Sequence, residues 1–150
     1  MSLAIVTVAD SISKLSVSGV TIKDLDDIPT TVRNRDCPIL YPRPDGFISG
    51  LAVERMSMAS GASAQLNVTY TLNYRFLFAK IGTERGLFAV VPTMVAKVAL
   101  IMDRMLVSDS ITGLIDLQVF DIGEFGPVSD PMGNMFHGCD FSFECLEFVN

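Results

Sequence analysis

The stretch LNVTYTLNYRFLFA, residues 66–79, is a β-strand written almost without error. Leu66, Val68, Tyr70, Leu72, Tyr74, Phe76 and Phe78 fall on one side. Asn67, Thr69, Thr71, Asn73 and Arg75 fall on the other, until Leu77 and Ala79 make the end apolar on both. A period of two marks a strand whose faces meet different surroundings. At ~3.3 Å per residue such a strand reaches roughly 46 Å, well beyond the usual strand of about five or six residues. That length predicts an overrun of the core of one small domain, with another chain covering the excess.

Working outward, residues 47–58 read as a strand with imperfect alternation, and 59–63 (ASGAS) as a turn of small residues. With residues 66–79 they form a β-hairpin. Downstream, Pro92 opens a periodic helix with Val91, Met94, Val95, Val98, Ile101, Met102 and Met105 on one side and Lys97 and Arg104 on the wet side. Proline suits a first helical turn, where its missing donor has no partner to lose. This helix is expected to pack on the apolar face of the hairpin.

Upstream, residues 2–15 carry a narrow apolar stripe of Ile5, Val8, Ile12 and Leu15, with Ser2 as the expected N-cap. A polar connection over residues 22–34 includes a short strand expected at 30–32. The run CPILY, residues 37–41, is bounded by prolines and suits a strand start or edge. After the helix, residues 114–122 form a strand and 123–138 a patternless Gly/Pro/Met-rich loop. Residues 139–149 close the chain as a strand, with Cys139, Phe141, Phe143 and Cys145 on one side. There the apolar register flips to Leu146 and Phe148, which points to a bulge or a change of covering partner. The expected fold is a single α+β domain over residues 1–150. Its mixed or antiparallel sheet, with a long β-hairpin, packs against an N-terminal helix and a central amphipathic helix.

Composition narrows the function. The 150 residues suffice for a core without metal or disulfide help. Hydrophobic residues make up 49% and charged ones 19%, so apolar surface exceeds what a monomer of this size needs. Subunit interfaces account for the surplus; a fully packed core is the alternative. No apolar run reaches the ~20 residues that a bilayer requires, so no membrane partner is expected. Eleven Lys and Arg against seventeen Asp and Glu leave little for counterion release, the main source of nucleic-acid affinity. A protein that surrounds DNA without gripping it tolerates this sign. The N-terminus has no basic start or long apolar stretch, so a reducing cytoplasm is expected and the sequon at Asn67 carries no meaning.

Chemistry-bearing motifs are few. Three cysteines, Cys37, Cys139 and Cys145, show no CxxC spacing and read as buried free thiols. The one histidine, His137, stands two residues from Cys139. Tips of strand residues two apart lie about 6–7 Å from one another, too far for a nucleophile pair unless Gly138 sharpens the turn. Asp24, Asp26 and Asp27 lack the spacing and glycine of a calcium loop. Phosphate-loop, dinucleotide, zinc-protease and serine-elbow signatures are missing from the sequence. No cofactor, metal ligand or catalytic residue is assigned.

In element order the chain resembles the tail terminator (tail completion) proteins of long-tailed bacteriophages. CPILYPRPDGFISG resembles the segment in which an apolar strand leads into the hairpin, and LNVTYTLNYRFLFA the long second hairpin strand. PTMVAKVALIMDRM resembles the helix that follows, and CDFSFECLEFVN the closing strand. The resemblance implies a virion structural protein at the head–tail junction, without catalytic residues. It implies a homohexameric ring that caps the tail tube and docks to the head connector. Its partners are then its own copies, the tail tube protein and the connector or neck protein, with DNA passing through unbound. Expected subunit-contact residues are Met56 and Met58 near the hairpin tip, with Tyr70, Leu72, Tyr74 and Phe76 along it. Two rivals are another neck or tail-tube component and a small cytoplasmic α+β enzyme or ligand-binding domain using His137 and Cys139.

Overall fold

The computed structural model describes residues 2–56, 65–82 and 86–149. In chain order its elements are α1 (Ile5–Ser13), β1 (Thr21–Ile22), a 3₁₀ turn (Asn34–Asp36), β2 (Ile39–Pro42), β3 (Ile48–Arg55) and β4 (Leu66–Lys80). Then come α2 (Leu87–Val107), α3 (Asp109–Thr112), β5 (Asp116–Ile122), β6 (Gly126–Ser129) and β7 (Met135–Val149). This is an α+β fold with one mixed sheet. Only β1 and β2 run parallel; every other pair is antiparallel.

The long strand is not left overrunning the domain. β7 is as long as β4, 15 residues each, and the two pair from Leu66 opposite Val149 to Lys80 opposite Phe136. The excess length predicted for an outside partner is therefore met within the chain. One bulge interrupts the ladder between Leu77 and Ala79. There the strands approach so closely that a Cβ on Gly138 would collide with the Phe76 carbonyl oxygen. On its other side β4 carries β2 at one end and β3 at the other. β7 carries β6 and β5 in the same manner.

Directly paired residues share a face. On one face Val68, Tyr70, Leu72, Tyr74 and Phe76 join Cys139, Phe141, Phe143 and Cys145 under the helices. Ile5, Val8 and Ile12 of α1, Val98, Ile101 and Met105 of α2 and Ile111 of α3 close this core. Each such side chain contributes about 1.5–3 kcal/mol on burial. On the opposite face a smaller cluster of Val32, Ile39, Tyr41, Leu77 and Phe136 covers only the end near the bulge. That explains why the long strand turns apolar on both sides at Leu77: a second layer begins there.

Several boundaries differ from expectation. The helix α2 starts at Leu87, five residues before Pro92. Pro92 leaves the Phe88 carbonyl without its helical donor, and Phe88 is 93% exposed, so water can supply one. Residues 30–32 form no strand; the short strand is β1 instead. The segment read as a patternless loop contains β6 and the beginning of β7. Asp130 makes that hairpin by accepting from the backbone N–H groups of Met132 (3.0 Å) and Asn134 (2.8 Å) and from the Asn134 side chain (2.9 Å). It also accepts from Val32 N–H at 2.9 Å, which pins the loop before β2 onto the sheet.

At the chain's end β4 and β7 stay in register from Leu66 to Leu77, and the irregularity beside the flip lies on β5, between Leu117 and Val119 opposite Cys145 and Glu144. The flip to Leu146 and Phe148 arises because the inward position is taken by Glu147. Its buried carboxylate accepts from Ala4 N–H (2.9 and 3.1 Å) and from the Tyr70 hydroxyl (3.0 Å). A distant strand thus supplies the acceptor that Ser2 was expected to give α1, at the end of the helix where an anion is favoured.

Candidate functional site

Four of the six residues expected at a subunit contact lie inside this chain's own core. Tyr70, Leu72, Tyr74 and Phe76 are fully buried beneath the helices. Tyr74 stacks on Phe143 at 5.8 Å and meets Phe47 edge-on at 5.6 Å. The alternation that made these residues conspicuous reflects the helices above them, which leave no surface for a neighbour. Met56 is 53% exposed. Met58 lies outside the described residues.

On the other arm of the hairpin apolar side chains are exposed instead. All eight residues of β3 are exposed, among them Ile48, Leu51 and Val53. The imperfect alternation of this arm has a definite cause. A bulge lies between Ser49 and Ala52, and Gly50 adopts a φ of +63°, a left-handed conformation that favours glycine. Asn73 secures the start of the arm: its side-chain amide donates to the Gly46 carbonyl (2.9 Å) and the Ser49 hydroxyl (3.0 Å), and its oxygen accepts from Ser142 (2.7 Å). Asn73, on the polar side of the alternation, is buried between β3 and β7. Proteins blunt an open strand edge with lysine or other charges, proline or a bulge; β3 has no lysine or proline but carries the bulge at Gly50 and ends on Glu54 and Arg55.

Among the described residues no strand lies on the outer side of β3 or of β5. β5 is half-buried on its helix side through Leu117, Phe120 and Ile122. On the face away from the helices, this half of the sheet bears Glu54, Asp116, Asp121 and Glu144, all exposed, around Ser49, Thr69 and Thr71. Arg75, on the same face, is committed to Asp140 at 2.9 Å. The exposed charge there is acidic.

The thiol chemistry raised as a rival finds poor conditions. Cys139 is buried and burial, followed by the nearby Asp140, pushes its thiol up to about 12. A nucleophilic cysteine needs the opposite shift. Burial also raises Cys145 and Cys37 to about 12. The Nδ1 atom of His137 is buried without a hydrogen-bond partner among the described residues. In the acidic loop, the Asp27 carboxylate accepts from Asp24 N–H at 2.6 Å and Asp24 from Leu25 N–H at 2.7 Å. These carboxylates shape the loop. Among the described residues no group of three or more His, Cys, Asp or Glu is placed to hold a metal ion, and no helix is long and apolar enough to cross a membrane.

No protein-family model and no curated protein matches the chain. The assignment of a role therefore rests on the sheet edge and on the resemblance in element order.

Proposed function

We propose that this protein is a virion structural protein of the tail terminator type. It forms a ring that caps the completed tail tube at the head–tail junction and docks to the head connector. One observation carries the reading: β3 is an eight-residue outer strand, exposed throughout and bearing bare Ile48, Leu51 and Val53. An edge of that length and hydrophobicity invites pairing with another chain. The acidic face formed by Glu54, Asp116, Asp121 and Glu144 supports a lumen that DNA crosses without adhering, since like charge opposes binding.

The experiment is to measure the mass of the purified protein by light scattering and to image it by electron microscopy, alone and with tail tubes. Rings with a central hole, at about six protomers, are the expected result. A protein that stays monomeric at high concentration and with tubes present would overturn the proposal.

A further inference from the structure

A groove of about 530 Å³ opens where β5 begins, lined by Leu106, Leu114, Ile115, Leu117, Leu146 and Phe148. β5 meets β7 first at Asp116 opposite Leu146, while β7 continues to Val149. Beyond that point, among the described residues, the outer side of β7 has no strand beside it. The groove thus lies in line with β5 at the open outer side of β7, with Thr112, Gly113 and Asp116 among its apolar side chains.

We propose that β3 of an adjacent copy of the same chain pairs along the outer edge of β5 and carries its residues 53–56 past the mouth of this groove, joining the two sheets edge to edge. The inference rests on the ring reading above and specifies its contact. Three features of the sheet favour a second copy as the occupant. First, β3, β4, β7 and β5 are successive antiparallel neighbours, so β3 and β5 run in opposite directions. Rotation about an axis along the strands therefore brings β3 of one copy beside β5 of the next as an antiparallel pair, which heterologous ring contacts require of two different surfaces.

Second, the levels match. Across the sheet Ala52 lies level with Thr69, Leu146 and Asp116, and Ile48 with Leu72, Phe143 and Phe120. When β3 lies against β5 at these levels, residues 53–56 extend past Asp116 along the mouth of the groove, with Val53 on the helix side and Met56, whose sulfur accepts from the Asn67 amide, on the other. Third, the faces match. Val53 pairs with Val68 and so points to the helix side, which Leu117 shares through its pairing with Cys145. Val53, half exposed in one copy, is then covered by Leu106 and Leu117 of the next.

The test uses the full chain carrying Cys37→Ser, since the other two cysteines are buried. Val53→Cys and Leu114→Cys are introduced singly and together, and the protein is treated with a short bismaleimide. The double variant is expected to give a ladder of cross-linked species up to the ring, and the single variants no ladder. Separately, Leu114→Lys is expected to raise the concentration needed for assembly by about tenfold or more while the far-ultraviolet spectrum stays unchanged. Rings that assemble normally, yet cross-link no better than the single variants, overturn the pairing of β3 with β5 and leave the ring standing. A chain that is monomeric under all conditions overturns both.

Discussion

The two arms of one hairpin have opposite fates. β4 alternates almost perfectly and its apolar residues vanish under the helices, whereas β3 alternates poorly and remains in solvent along its whole length. The regular arm spends its side chains on the fold. The irregular arm, bent by the bulge at Gly50 and held at its root by Asn73, leaves Ile48, Leu51 and Val53 in solvent. Clean amphipathic patterning therefore marks the core here, and the proposed assembly surface lies where the pattern is weakest.

The difference between the arms can be broken most severely from the β4 side. Phe76→Ala is expected to cost about 3–5 kcal/mol, read as a lowered denaturant midpoint, because the ring is fully enclosed and leaves a cavity. Glu147→Leu should cost about 2–3 kcal/mol in the same measurement, since Ala4 N–H and the Tyr70 hydroxyl lose their acceptor. Loosening of α1, followed by hydrogen exchange, is expected to accompany it.

Next comes a dependence on pH. Burial alone would raise the Asp130 carboxyl, but donation from the Asn134 side chain and from the Val32, Asn134 and Met132 N–H groups outweighs it and holds the carboxyl below its ordinary 3.8. The folded state thus binds the proton less readily than the unfolded chain. Its contribution to stability is present in full above the ordinary carboxylate range and is lost as pH falls below 3.8 toward the folded value. Urea titrations of the wild type and of Asp130→Asn should diverge at neutral pH and converge in acid; parallel curves would refute the role.

Changes on β3 should touch stability least. Gly50→Ala places a side chain at a φ of +63° and is expected to cost about 1 kcal/mol in thermal unfolding. Val53→Lys should alter the unfolding midpoint by no more than about 0.5 kcal/mol, because the residue is half exposed, while assembly by light scattering is abolished. If Val53→Lys instead unfolded the protein, the contrast between the arms would collapse.

Much of this was legible before any coordinates. The identity of β4, the inward row Cys139, Phe141, Phe143 and Cys145, and most of the apolar side of α2 follow from periodicity; Met94, Val98, Ile101 and Met105 are buried, whereas Val95, expected on the same side, is exposed. Periodicity failed where a single polar residue took an inward position for a distant partner. Glu147 looked like a break in register because its helix lies at the other end of the chain. Asp130 looked like part of a loop because its donors include Val32, 98 positions away. Tyr70 and Tyr74 were offered as contact residues because alternation reports that a face is covered and is silent about what covers it.

Local composition determined which segments are strands and helices, which side of each is apolar, and that the chain carries an acidic excess. Tertiary structure alone decided that β7 matches β4 along its length, that Glu147 serves α1, and that β3 ends up bare. The physical reason is range. Side-chain period and turn chemistry act between neighbours in the chain, whereas exposure depends on which remote elements arrive to share a face. β4 is covered because helices from both sides of it in sequence converge there, and among the described residues no strand arrives on the outer edge of β3.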